Sequence, residues 1–304
     1  MHPSDTSLYR TPPEPAHRTG LLLVGHGSRS PAGRTEMLAL GQLVAEAAGH
    51  HLAVETGFLE LSDPPAGVAL DRLAARGLAR ASVVPLMLNP AGHAKSDVPA
   101  VLLDGRLRHP DLDLHYGRPL GMDHVVLSLG AARIVEAGGL GVPLLVLARG
   151  TSDPDANGDT YKVARLLAEM TDAPLVDVGF SGVTWPRVPE ALDLLRRKGA
   201  HRIVCLAWFL CSGVLVDRLH EDCAKFTQST GIDVLRAGHL GPHPDLVPLI
   251  LARHDEAFEG DIRMNCDACA YRKPFPGLEA RVGHPLGHGH SHLAVEHHGH
   301  GHHR

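Results

Sequence analysis

Apolar positions along the chain come in short unbroken runs, separated by stretches with helical spacing. Leu21-Leu22-Leu23-Val24 is ended by Gly25-His26-Gly27-Ser28. Residues 36–48 then carry apolar side chains at helical intervals. Residues 54–59 predict a second strand, 65–75 a helix and 81–88 a third strand. Strands that are apolar on both faces and alternate with helices predict an α/β fold whose parallel sheet is covered on both sides. In such folds the connections are right-handed and ligands gather at the carboxyl ends of the strands.

The pattern then repeats. Gly57-Phe58 recurs as Gly179-Phe180, Ala69-Leu70-Asp71 as Ala191-Leu192-Asp193, and Gly77 and Arg80 as Gly199 and Arg202, all at an offset of 122. Leu22 to Ser28 recurs as Leu145 to Thr151 at 123, and Leu120-Gly121 as Leu240-Gly241 at 120. Offsets that drift by one or two residues are what small loop insertions produce. The repeat predicts two tandem homologous, doubly wound parallel-sheet halves, 20–138 and 141–259, with a cleft between them. Residues 1–19 contain Pro3, Pro12, Pro13 and Pro15 and read as a loose arm. After Gly260 the character changes again, to a Cys-bearing segment (260–280) and a Gly/His-rich tail (281–304) too poor in apolar residues to pack a core.

Composition narrows the classes. A hydrophobic content of 44% excludes global disorder. The formal charge of −5 speaks against a general nucleic-acid binder, which needs a basic stripe. The uncharged run Ile203 to Val216 falls short of the roughly 20 residues that span a bilayer, and the N-terminal arm has no apolar core of a secretion signal. The odd total of 5 Cys fits a reducing cytoplasm better than a disulfide framework. Cys205 sits in an apolar run and reads as buried packing, as do Cys211 and Cys223.

Three side chains of metal-binding and proton-accepting type leave three strand ends on one sheet edge. His26 follows the first strand, Glu60 the second and His93 the third. Each alone has an ordinary explanation: a surface imidazole, or a carboxylate at a helix start. The repeat weighs against these. His26 is matched by Arg149, Glu60 by Gly182, and His93 by Val214 or Leu215, so the duplicated scaffold persists while all three are absent. This predicts one active site, in the first half, with the second half as its wall and Arg149 inert towards metal. Ser28 is expected to cap the following helix. Neither a G-x-G-x-x-G fingerprint nor a P-loop is present, so nothing in the sequence points to a dinucleotide or to ATP coupling.

LLVGHGSR, GFLELSDP and VVPLMLNPAGHAKSDVP, in this order, resemble the sirohydrochlorin chelatases of the CbiX/SirB type, in the class II chelatase superfamily. The likeness covers about 20–259. It implies a cytoplasmic lyase that inserts a divalent metal into sirohydrochlorin without ATP, with His26, Glu60 and His93 holding the metal and accepting pyrrole protons. The macrocycle is rich in carboxylates, for which Arg29, Lys95 and the helix start after Ser28 are the expected partners.

Met264-Asn265-Cys266-Asp267-Ala268-Cys269 resembles the iron–sulfur segment of the long CbiX cobaltochelatases. Cys266 and Cys269 have metal-ligand spacing but form only half of a four-thiolate site. A 4Fe-4S cluster completed across a homodimer, a zinc clip and an idle thiol pair remain as readings. Of the 23 His, nine fall in residues 284–304, among them His288, His290, His292, His300 and His302. This tail reads as a flexible auxiliary metal binder, which favours Co2+ over Fe2+ or Ni2+ as the inserted ion. The resulting expectation is a cobaltochelatase of cobalamin biosynthesis. The alternatives are a ferrochelatase for siroheme, a non-catalytic metal-delivery protein, and an α/β transferase using the Gly-His-Gly loop for a phosphate.

Overall fold

A computed structural model describes residues 19–259. Residues 1–18 of the arm, Cys266 and Cys269, and the His-rich tail lie outside the described residues, while Thr19 opens the first strand rather than closing the arm.

Two four-stranded parallel sheets form the frame. The first has the order β2-β1-β3-β4, from β1 (Thr19–Gly25), β2 (Leu52–Phe58), β3 (Arg80–Pro85) and β4 (Asp113–Tyr116). The second repeats this order as β6-β5-β7-β8, from β5 (Leu144–Ala148), β6 (Val176–Phe180), β7 (Arg202–Ala207) and β8 (Asp233–Ala237). Leu21 to Val24 and Leu144 to Leu147 are fully buried. Their unbroken apolar runs reflect strands covered on both faces. In each sheet the chain starts on an inner strand, goes to one side and then crosses to the other, so the central strand marks a topological switch point.

Among the described residues eight α-helices cover the sheets. α1 (Pro31–Ala48), α2 (Ala66–Ala74), α3 (Val98–Arg108) and α4 (His124–Glu136) belong to the first copy, and α5 (Pro154–Met170), α6 (Val188–Arg197), α7 (Val214–Thr230) and α8 (Leu246–Glu259) to the second. α1 starts five residues before the predicted helix. Pro31 is preset for the first helical turn, and that turn lacks the apolar spacing on which the prediction rests. The third strand ends at Pro85 rather than 88, although Leu86 still donates to the Val24 carbonyl at 2.8 Å.

The last helix of each copy crosses over. α8 packs on α1, β3 and β4 of the first sheet, and α4 packs on α5, β7 and β8 of the second. The largest apolar cluster therefore runs through both halves, with Leu21, Leu23 and Val84 from one and Val146, Leu206 and Ile250 from the other. Smaller clusters lie under α2 and α3 and under α6 and α7. Copies in sequence thus interlock in space, and the carboxyl edges of the two sheets meet. Among the described residues no helix is long and apolar enough to cross a membrane.

Candidate metal site

His26, Glu60 and His93 converge where the sheet edges meet, each offering one donor atom, with all three atoms within 4.8 Å of one another. Backbone contacts bring them there. Leu59 N donates to the Gly25 carbonyl at 3.0 Å, and Glu60 N to the His26 carbonyl at 3.1 Å, extending the β1–β2 pairing past the strands. Gly27 has φ +99°, and a Cβ on it would lie 1.7 Å from the Glu60 carbonyl oxygen. Only glycine fits where the two loops touch. Ser28 does not cap α1 as expected. Its Oγ accepts from Ser30 N at 3.1 Å, and its backbone N–H and carbonyl both engage the Ser62 hydroxyl at 3.0 Å. Ser30 holds the N-cap position, without a side-chain bond.

His93 opens a π-helical turn, His93–Asp97, ahead of α3. Such turns re-aim a side chain within a helix and recur at functional sites. His93 Nδ1 lies 2.6 Å from Asp97 Oδ2, which makes Nδ1 the donor and leaves Nε2 as the atom that could ligate a metal. Asp97 was not assigned from the sequence, although its spacing of four from His93 in a helical segment was the available signal. His26 Nε2 stands 3.3 Å from Glu60 Oε1. The His26 and His93 rings meet edge to face with centroids 4.4 Å apart. Burial above all, then His93 and Arg149, pull the His26 pKa down to about 4, while Glu60 works the other way. At neutral pH His26 is therefore a neutral imidazole, the form that binds a metal.

The expectation for Lys95 needs correction. Lys95 is already committed to carboxylates of the chain itself. Its side chain is 1% exposed, and its ammonium is paired with Asp153 at 2.7 Å and Asp155 at 2.8 Å, both from the second copy. A cation so committed holds the His93 turn against the start of α5 rather than binding a ligand. Arg149, expected to be inert towards metal, lies beside one of the three donors: its Nη1 donates to His26 Nε2 at 2.7 Å. Arg29 is exposed on the loop before α1. Cys205 and Cys223 are buried as predicted. Cys211 is only partly so, and burial with Glu36 nearby pushes its thiol up to about 12.

Further contacts fasten the two edges. Asn89 Nδ2 donates to the Ala156 carbonyl at 3.0 Å and to Thr160 Oγ1 at 2.8 Å, and its Oδ1 accepts from Trp208 Nε1 at 3.0 Å. Glu36 on α1 accepts from Ser212 N at 2.6 Å. A separate cavity of about 600 Å3 at the seam is lined by Leu88, Pro90, Arg118, Met122 and Lys162, and none of the three donors borders it.

Known proteins share this plan. The chain is 38% identical over 260 residues to a sirohydrochlorin cobaltochelatase of Priestia megaterium, covering 83% of this chain and 84% of that protein. It is 28% identical to a sirohydrochlorin ferrochelatase of Bacillus subtilis, covering 78% and 90%. Among solved structures, SirB from Bacillus subtilis with Fe3+ superposes with a TM-score of 0.71 at 28% identity, covering 82% of this chain and all of that one. The sirohydrochlorin chelatase SirB from Bacillus subtilis subspecies spizizenii in complex with cobalt gives 0.67 at 25% identity, covering 80% and 97%. The CbiX family model matches twice, at residues 20–137 and 143–257, once for each sheet and the helices that follow it in sequence. The chain belongs to the CbiX family.

Proposed function

We propose that this protein is a sirohydrochlorin cobaltochelatase: it inserts Co2+ into sirohydrochlorin, without ATP, at the His26–Glu60–His93 site. The observation that carries this reading is the convergence of two imidazoles and a carboxylate at the facing strand ends of a CbiX-family chain. The first copy, 20–138, supplies the metal donors, and the second, 141–259, supplies the opposing wall.

The chemistry follows from the donor set. Insertion replaces metal–imidazole and metal–carboxylate bonds by four metal–nitrogen bonds to the macrocycle, and two pyrrole N–H protons must leave. His26, His93 and Glu60 hold the divalent ion as ligands. As His93 and Glu60 let go, their lone pairs become available to the two departing protons, while His26, with its pKa of about 4, serves as a ligand. Arg29, exposed on the loop before α1, is our candidate for taking a substrate carboxylate. The His of the tail, His288, His290, His292, His300 and His302 among them, raise the local metal concentration without entering the reaction. Cys266 and Cys269 are a candidate pair for a cluster or zinc.

The test is absorbance of sirohydrochlorin mixed with Co2+ and the protein. The expected result is a shift of the tetrapyrrole bands at a catalysed rate that His26→Ala or His93→Ala lowers at least a hundredfold. Full activity in both variants would sink the assignment, and no acceleration by wild type would leave a metal-delivery protein. The relative named as a ferrochelatase and the Fe3+ structure favour a second reading, insertion of iron. Parallel reactions with Fe2+ under anaerobic conditions decide between the metals.

A further inference from the structure

Arg149 stands at the position of the second copy that corresponds to His26 in the first. Its backbone is anchored as its counterpart's is: Gly182 N and Ser181 Oγ donate to its carbonyl at 3.1 and 3.2 Å, and Gly150 follows with φ +79°. The side chain reaches across the cleft and donates to His26 Nε2 at 2.7 Å. His26 Nδ1 lies 3.3 Å from the Gly27 carbonyl, so a single tautomer, protonated at Nδ1, satisfies both contacts. The Nε2 lone pair taken by Arg149 is thus the one a metal needs. A guanidinium has no lone pair to share with a metal and carries a permanent positive charge, so the Arg149–His26 contact and metal on His26 exclude each other. No carboxylate pairs with Arg149 among the described residues. The kind of partner a guanidinium prefers is thus not paired with it among the described residues.

We propose that Arg149 is a metal-responsive positioning residue that sets the order of binding. Without metal it occupies His26. An arriving divalent cation displaces it, and the freed guanidinium takes a carboxylate of the incoming tetrapyrrole. Metal loading thereby creates part of the macrocycle site, and the macrocycle follows the metal. The carboxylate half of this inference rests on the proposed chelatase activity; the displacement half rests on the His26 contact alone.

The experiment titrates the full-length protein with Co2+ alone, comparing wild type, His26→Ala, Arg149→Ala and Arg149→Lys. His26→Ala defines the part of the binding that belongs to the cleft, separating it from the tail. Arg149→Ala is expected to bind cleft Co2+ about tenfold more tightly than wild type, as loss of one competing hydrogen bond implies. The same variant should show a KM for sirohydrochlorin raised about tenfold at saturating Co2+, with Arg149→Lys recovering part of that loss through its retained charge. Unchanged or weaker cleft affinity in Arg149→Ala overturns the displacement, and an unchanged KM overturns the carboxylate role. Identical titrations of wild type and His26→Ala would remove the metal site itself, and the proposed function with it.

Discussion

Asp97 and His26 illustrate what single residues contribute to the site. Asp97 touches no metal donor except through His93, whose ring it orients from the Nδ1 side. Outer partners of this kind typically govern metal affinity by 10- to 100-fold. Asp97→Ala should therefore weaken cleft Co2+ binding by about that factor while circular dichroism stays unchanged; equal affinity would show that the ring is held by packing instead. His26 makes a prediction about pH. Its pKa falls from the ordinary 6.5 to about 4 on folding, so between those values the unfolded chain binds more protons than the metal-free native protein. Stability must then rise with pH across this window and drop as pH falls from 6.5 towards 4, by up to ~1.4 kcal/mol per pH unit from this group. His26→Gln abolishes the titration. Urea unfolding of both proteins at pH 6.5, 5.5 and 4.5 should show wild type losing stability relative to the variant at each step, and parallel losses would refute the assignment.

At the scale of elements, the site depends on how far each strand's pairing continues into its loop. The β1 and β2 loops stay bonded beyond Gly25 and Phe58, and Gly27 allows the two backbones to touch. A left-handed conformation imposed on a residue with a side chain costs about 1–3 kcal/mol, before the collision with the Glu60 carbonyl is added. Gly27→Ala is expected to lower the unfolding midpoint and to weaken Co2+ binding together, because relief of the collision must move Glu60. Gly150→Ala is the matching control. Its Cβ would lie 2.3 Å from the Gly182 carbonyl, so it should cost stability in the same way while leaving all three donors in place. If Gly27→Ala kept full metal affinity, the shared loop contact would not be what positions Glu60.

For the molecule as a whole, the crossing of α4 and α8 and the ion pairs across the seam make the two copies one cooperative body. Lys95 is central to this. Its ammonium neutralises Asp153, which is fully buried, and Asp155. Lys95→Met would leave two carboxylates facing each other in a site with little solvent, a change that typically costs about 3–5 kcal/mol. The expected result is a corresponding fall in the urea midpoint, with loss of metal affinity as the His93 turn comes loose from α5. A variant of wild-type stability would mean that water replaces the ammonium.

The sequence by itself determined the local pattern and the duplication. Apolar runs of strand length and helical spacing are encoded residue by residue, and the repeat showed that His26, Glu60 and His93 stand apart from the scaffold they interrupt. Three donors at three strand ends of one parallel sheet must share an edge, so their convergence was legible before any coordinates. Tertiary structure decided what depends on distances across the chain. Lys95 and Arg149 are both basic residues just past strand ends at a ligand edge, and composition gives no way to tell a cation buried between two carboxylates from one resting on an imidazole. Only the meeting of the two sheets, 58 residues apart for Lys95 and Asp153 and 123 for His26 and Arg149, fixed which was which. The exchange of α4 and α8 was invisible for the same reason: an amphipathic stripe specifies that a helix is buried, and the burial of apolar surface carries no direction that would name the sheet it covers.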